Sequence, residues 1–230
     1  MTVTSRGVSG EQLPPAPPLG TRTMSYRRIA VVVGALFFFQ LISFMIGSSL
    51  IEQYLDGETS RATLTIGVAL EMCAGLAVVA IGLLMYRVLR IADERLALGY
   101  PIMRIVEFAV SVSLAIFLLT QLEEFPNRLL WVYIPTGIGG LILNYIFFTA
   151  RLIPRVISAL GLVGYSLLLL AVPLDLLGAV DANSGAGLAL LAPGGLYEFM
   201  ILPIWLIAKG FRLPAARTAE VRQAQPLTAD

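Results

Sequence analysis

The stretch IAVVVGALFFFQLISFMIGSSL, Ile29 to Leu50, decides the fold: 22 residues without a charge and with only Gln40 and three serines to relieve its apolarity. A helix rises 1.5 Å per residue, so a run of about 20 apolar residues crosses the hydrocarbon core of a bilayer. It is too long for the h-region of a cleaved signal peptide, so it is expected to stay as a membrane span. The run is continuous rather than alternating, which argues for a helix and against a barrel strand.

Five further runs of the same kind follow. They cover roughly Leu64 to Tyr86, Leu96 or Pro101 to Leu122, Leu129 to Ala150, Val156 to Val180, and Leu188 or Pro193 to Ala208. The expected fold class is therefore all-α: an integral membrane bundle of six transmembrane helices over residues 25–212. Residues 1–24, with the run Pro14-Pro-Ala-Pro-Pro18, have too few apolar side chains to fold and are expected to form a disordered tail. Residues 213–230 are expected to be a second flexible tail.

Composition agrees. Of 230 residues, 57% are hydrophobic and 13% charged, against roughly a quarter charged in a soluble domain. A net charge of +1 offers nothing to nucleic acid. Histidine is absent, which removes Ser-His and Cys-His nucleophile pairs, His-based zinc sites and bis-His haem. The single cysteine, Cys73, cannot form an intrachain disulfide. The single lysine, Lys209, lies at the end of the last span rather than deep in a helix, where a retinal Schiff base would need it. No cofactor and no metal is expected.

Orientation follows from the loops. Arg22, Arg27, Arg28, Arg87, Arg90, Arg95, Arg151, Arg155, Lys209 and Arg212 fall at one end of the spans, and only Arg61 and Arg128 at the other, which also carries Glu52, Asp56, Glu58, Glu123, Glu124 and Asp181. The positive-inside rule puts the basic end, and with it both termini, in the cytoplasm. Trp131, Tyr133 and Trp205 near span ends fit an interfacial aromatic belt.

Five ionisable residues fall inside the spans: Glu71, Arg104, Glu107, Asp175 and Glu198. A charge at mid-bilayer costs roughly 2.5–3.5 kcal/mol on insertion scales, so such residues turn inward and pair. Arg104 and Glu107 share a helix face, which fits either a local ion pair or a guanidinium serving acids on other helices. Glu71 sits in Gly67-xxx-Glu71-xxx-Gly75, with Gly82 beyond, a spacing of small residues that places it on a packed face. Asp175, after Pro173, is near enough to a span end to reach the interface, and Asn144 follows Pro135 and the Gly137, Gly139, Gly140 cluster, which is expected to interrupt the fourth helix. Pro203 is expected to interrupt the sixth just after Glu198. Four acids and one base leave an excess of negative charge that protons, a cation or a wet cavity must relieve. The ligand or proton site candidates are thus Glu71, Arg104, Glu107 and Glu198, with Asn144 and Asp175 weaker.

Several motifs carry a resemblance. Arg87-Val-Leu-Arg90, Leu96-Ala-Leu-Gly-Tyr100, Arg104-Ile-Val-Glu107, Arg151-Leu-Ile-Pro-Arg155 with Gly161-Leu-Val-Gly164, and Glu198 followed by Trp205-Leu-Ile-Ala-Lys209-Gly-Phe211 resemble, in order and spacing, the bacterial multi-pass membrane family catalogued as domain of unknown function 4386. The likeness spans residues 26 to 212. It implies a multi-pass protein of the bacterial inner membrane and implies no activity. The strong use of arginine over lysine fits a GC-rich bacterial genome.

Three function classes compete on these residues. A small-solute transporter coupled to protons or cations would use the three glutamates with Arg104 as counter-charge, and predicts a polar cavity reaching them. A sensor, lipid-binding or assembly subunit, partnered by a second copy or another membrane protein, would use the charges as staples. An intramembrane enzyme is disfavoured, because a paired-aspartate site needs two Asp and only Asp175 lies in a span.

Overall fold

The structure is a computed structural model, and residues 25–182 and 184–212 are described. The two terminal tails, and Arg22 with them, lie outside the described residues. The helices are α1 (Tyr26–Leu55), α2 (Arg61–Leu89), α3 (Glu94–Gln121), α4 (Arg128–Ala150), α5 (Arg155–Leu176) and α6 (Gly185–Leu196). A π-helical turn (Tyr197–Ile201) then leads directly into α7 (Leu202–Ala208). The last three elements form one span, Gly185–Ala208, so six helical segments are long and apolar enough to cross a membrane.

The spans pack in chain order, each against the next, and the ring closes because α7 packs on α1. Local chemistry sets the ends. Ser25 caps α1 by accepting from the Arg28 amide, and Asp93 caps α3 by accepting from the Leu96 amide at 2.9 Å. Arg27 reaches from α1 to the last turn of α7 and donates to the carbonyls of Leu206 at 3.1 Å and Ile207 at 2.6 Å. A cation thereby meets the negative end of that helix and fastens the first span to the last.

The bundle is apolar outside and selectively polar inside. Phe39, Ile42, Met45, Leu83 and Val163 point outward, where lipid replaces water. Gln40, Arg104, Glu107, Asn144 and Glu198 are buried. The arginine-rich half is filled by a continuous core that includes Phe37, Met85, Tyr100, Phe147, Tyr165, Tyr197 and Leu206. The acid-rich half has two smaller clusters, one around Ile51, Leu64 and Leu118, the other around Leu130 and Val172.

The fifth and fourth helices depart from the sequence reading. The fifth helix ends at Leu176 rather than Val180, because Gly178 adopts φ +70° and the Ala179 amide folds back onto the Leu174 carbonyl. The fourth helix runs unbroken from Arg128 to Ala150 despite Pro135. Its glycines serve packing instead: Gly137 lies under Leu169 and Gly140 under the Tyr165 ring, where a Cβ would collide. The departure from α-helical geometry falls in the sixth span, where Pro203 has no amide proton to donate and a π turn precedes it.

Candidate functional site

α2 sets the depth of the site through its small residues. Gly67 faces Gly47 of α1 so closely that a Cβ on Gly67 would lie 2.8 Å from the Gly47 carbonyl oxygen. Gly82 leaves room for the Arg104 side chain of α3, whose Cβ would be 3.0 Å from an added methyl. The stripe thus draws α1, α2 and α3 together and turns Glu71 and Arg104 inward.

Arg104 is 1% exposed and holds two carboxylates. Its Nη1 donates to Glu107 at 2.8 Å, and its Nη2 to Glu198 at 3.1 Å, 94 residues away. The guanidinium carbon lies 5.1 Å from the centre of the Tyr100 ring. Glu107 is the 14th of 28 residues in α3, and Glu198 the 14th of 24 in its span, so both sit halfway through the bundle. Glu198 belongs to the π turn.

Glu71 joins a different cluster. It is bound at both carboxylate oxygens by Nη1 of Arg128, at 3.1 and 3.0 Å, and Ser48 donates to it at 2.9 Å. Arg128 also donates to Ser48 at 3.3 Å and to Glu124. The counter-charge of Glu71 is therefore Arg128, not Arg104. The loop count treats Arg128 as an exterior charge; it is the first residue of α4 and folds back into the bundle. Depth held the clue: Glu71 lies in the acid-rich half, where Arg61 and Arg128 are the only bases among the described residues.

The weaker candidates stand apart. Asn144 donates to the Gly140 carbonyl at 2.9 Å and accepts from the Tyr197 hydroxyl, an arrangement that bare Gly161 admits. It anchors the residue before Glu198. Asp175 accepts from the Ala182 amide at 2.5 Å and so ties the loop after α5. Neither lines the cavity described next.

A cavity of about 230 Å³ joins the two clusters. All six spans contribute to its wall. Exposed Glu124 and half-buried Phe125 lie at the rim, Glu71 and Arg128 below them, and Glu107 and Glu198 at mid-depth. Arg104 stands behind its carboxylates, outside the lining. Among the described residues no group of three or more metal-ligating side chains gathers.

Six apolar spans around an interior cavity define the class: a multi-pass membrane protein with paired charges turned inward. The chain matches the family described as a domain of unknown function, number 4386, over residues 32–125 and 113–210, and it belongs to that family. No curated protein and no solved structure matches it.

Proposed function

We propose that the chain is a multi-pass protein of the bacterial inner membrane that moves a small solute coupled to a proton or another cation, with its arginine-rich end and both termini in the cytoplasm. The observation that carries this reading is that Glu107 and Glu198, two buried carboxylates to one guanidinium, line a cavity at mid-membrane. With both ionised, the triad holds one net negative charge among low-dielectric walls. A proton or cation arriving through the cavity cancels it. Glu198 sits on a π turn just before Pro203, where the regular helical bonding is interrupted, so the acid stands on the least regular segment of the last span. In this reading Arg104 is the fixed counter-charge, and Glu71 with Arg128 is the latch at the mouth.

A second reading, a ligand sensor or assembly subunit, is favoured by one feature: the arginine-rich half is filled by its apolar core, and exposed Glu124 lies at the acid-rich end of the lining. Transport by alternating access accounts for the same feature as one of two states.

The test is reconstitution into liposomes carrying an internal pH dye, with a panel of amines, sugars and carboxylates added outside. Coupled transport predicts a solute-dependent pH change that is lost in Glu198→Gln while the variant still folds. Solute-dependent stabilisation without any ion or solute flux overturns transport in favour of the sensor. Orientation is tested in a Cys73→Ala background. An impermeant maleimide should label Glu58→Cys on intact cells and Asp93→Cys only after lysis, and the opposite pattern inverts the topology.

A further inference from the structure

We infer that the solute the cavity accepts is an organic ammonium ion, a compact amine with an apolar body. This deepens the reading above and rests on it. Hydrogen-bond accounting on the cavity wall carries it. Most donors are already committed: Arg128 to Glu71, Ser48 and Glu124; Ser111 to the Glu107 carbonyl at 3.0 Å; Thr136 to the Val132 carbonyl at 2.8 Å; the Gln40 amide nitrogen and the Tyr133 hydroxyl, both neutral, are the exceptions. Both terminal nitrogens of Arg104 are engaged by the triad. The acceptors are in excess. Besides the carboxylates of Glu107 and Glu198, the wall includes Gln40 of α1, 9% exposed, whose Oε1 is buried with no hydrogen-bond partner.

A buried acceptor without a donor is costly unless something supplies one, and with both glutamates ionised the site carries net negative charge besides. A ligand that fits must therefore bring N–H donors and positive charge together. An anion finds no uncommitted cation on that wall, and a neutral ligand leaves the surplus carboxylate without a counter-charge. The rest of the wall selects the body of the ligand. Phe44, Phe125, Tyr133 and Phe199 line the cavity among aliphatic side chains, a setting that favours an ammonium on an apolar or aromatic body over a hydrated inorganic ion.

The experiment compares three probes of one shape, benzylammonium, benzyl alcohol and benzoate, by thermal unfolding of the full chain in detergent. A ligand that binds the folded state raises its melting temperature saturably. Benzylammonium should do so and the other two should not. Gln40→Met removes an unpartnered acceptor, so the ligand-free protein should melt no lower than wild type, while the concentration of benzylammonium needed for half the shift rises about tenfold or more. Glu198→Gln should weaken the shift as well. A shift by benzoate or benzyl alcohol as large as that by benzylammonium, or none by benzylammonium, overturns the inference. So does a benzylammonium shift unchanged in both variants. The two readings fail separately. Proton-linked flux of a neutral or anionic solute without ammonium binding sinks this inference and leaves transport standing. Ammonium binding without flux supports this inference and sinks transport.

Discussion

Arg104 and Arg128 each sit between two glutamates, yet they are not equivalent. Arg104 is 1% exposed, lies halfway through the bundle, and joins α3 to the π turn of the last span. Arg128 is 12% exposed at its side chain, starts α4 near the rim, and shares itself between Glu71, at the same exposure, and Glu124, at 47%. The charge ratio is the same and the solvent is not. Where water reaches, an ion pair is screened and its loss is partly repaired by hydration; where it does not, each remaining charge depends on its partner. The inner cluster is thus held by burial, with one carboxylate more than it has guanidinium, and the outer cluster, the latch of the proposed function, is the weaker pairing.

The largest effect should come from removing the inner guanidinium. Arg104→Leu strands Glu107 and Glu198 in an apolar interior, and breaking a buried pair by deleting one partner costs about 3–5 kcal/mol. The same change at Arg128 should cost about 1–2 kcal/mol, between the values for exposed and buried pairs. Thermal unfolding of both variants in one detergent measures the difference. Equal losses would erase the distinction between staple and latch.

A second comparison sharpens the idea of a spare charge. If Arg104 needs one carboxylate and is given two, then Glu107→Gln and Glu198→Gln should each cost no more than about 1 kcal/mol, since one full ion pair survives. The double variant leaves the guanidinium without an anion and should cost about 3–5 kcal/mol, far beyond the sum of the singles. Additive losses would mean that both carboxylates are structural and that no charge is spare.

What the sequence discloses follows the same division. The six spans are legible because membrane insertion imposes a length and a composition on each, and both are local properties. Arg104 with Glu107 is legible because three residues on a helix share a face. Glu198 as the second partner is not, since nothing local records a contact 94 residues away; only the cost of a lone acid at mid-bilayer points to a partner somewhere. Arg128 was hidden by its position at a helix start, where a charge normally faces water. The glycines of α4 and the prolines were ambiguous for a different reason. The same residues that break a helix also let neighbours approach, and Tyr165 and Leu169 on α5 decide between the two at Gly140 and Gly137. The cavity, built by all six spans at once, has no local signature.

The smallest effect separates the latch from its own rim. Glu124 is the exposed member of the outer cluster, an i,i+4 partner of Arg128 across the start of α4. Glu124→Gln should cost less than about 1 kcal/mol, and less still in high salt, because an exposed pair is screened within a Debye length. Glu71→Gln removes the less exposed acid, which binds Arg128 through both its oxygens, and should cost more with little dependence on salt. Unfolding of the two variants at low and at molar salt checks the order. If Glu124→Gln is the more damaging or Glu71→Gln the more salt-sensitive, Arg128 is held from the rim rather than from within, and the latch is fastened on the outside.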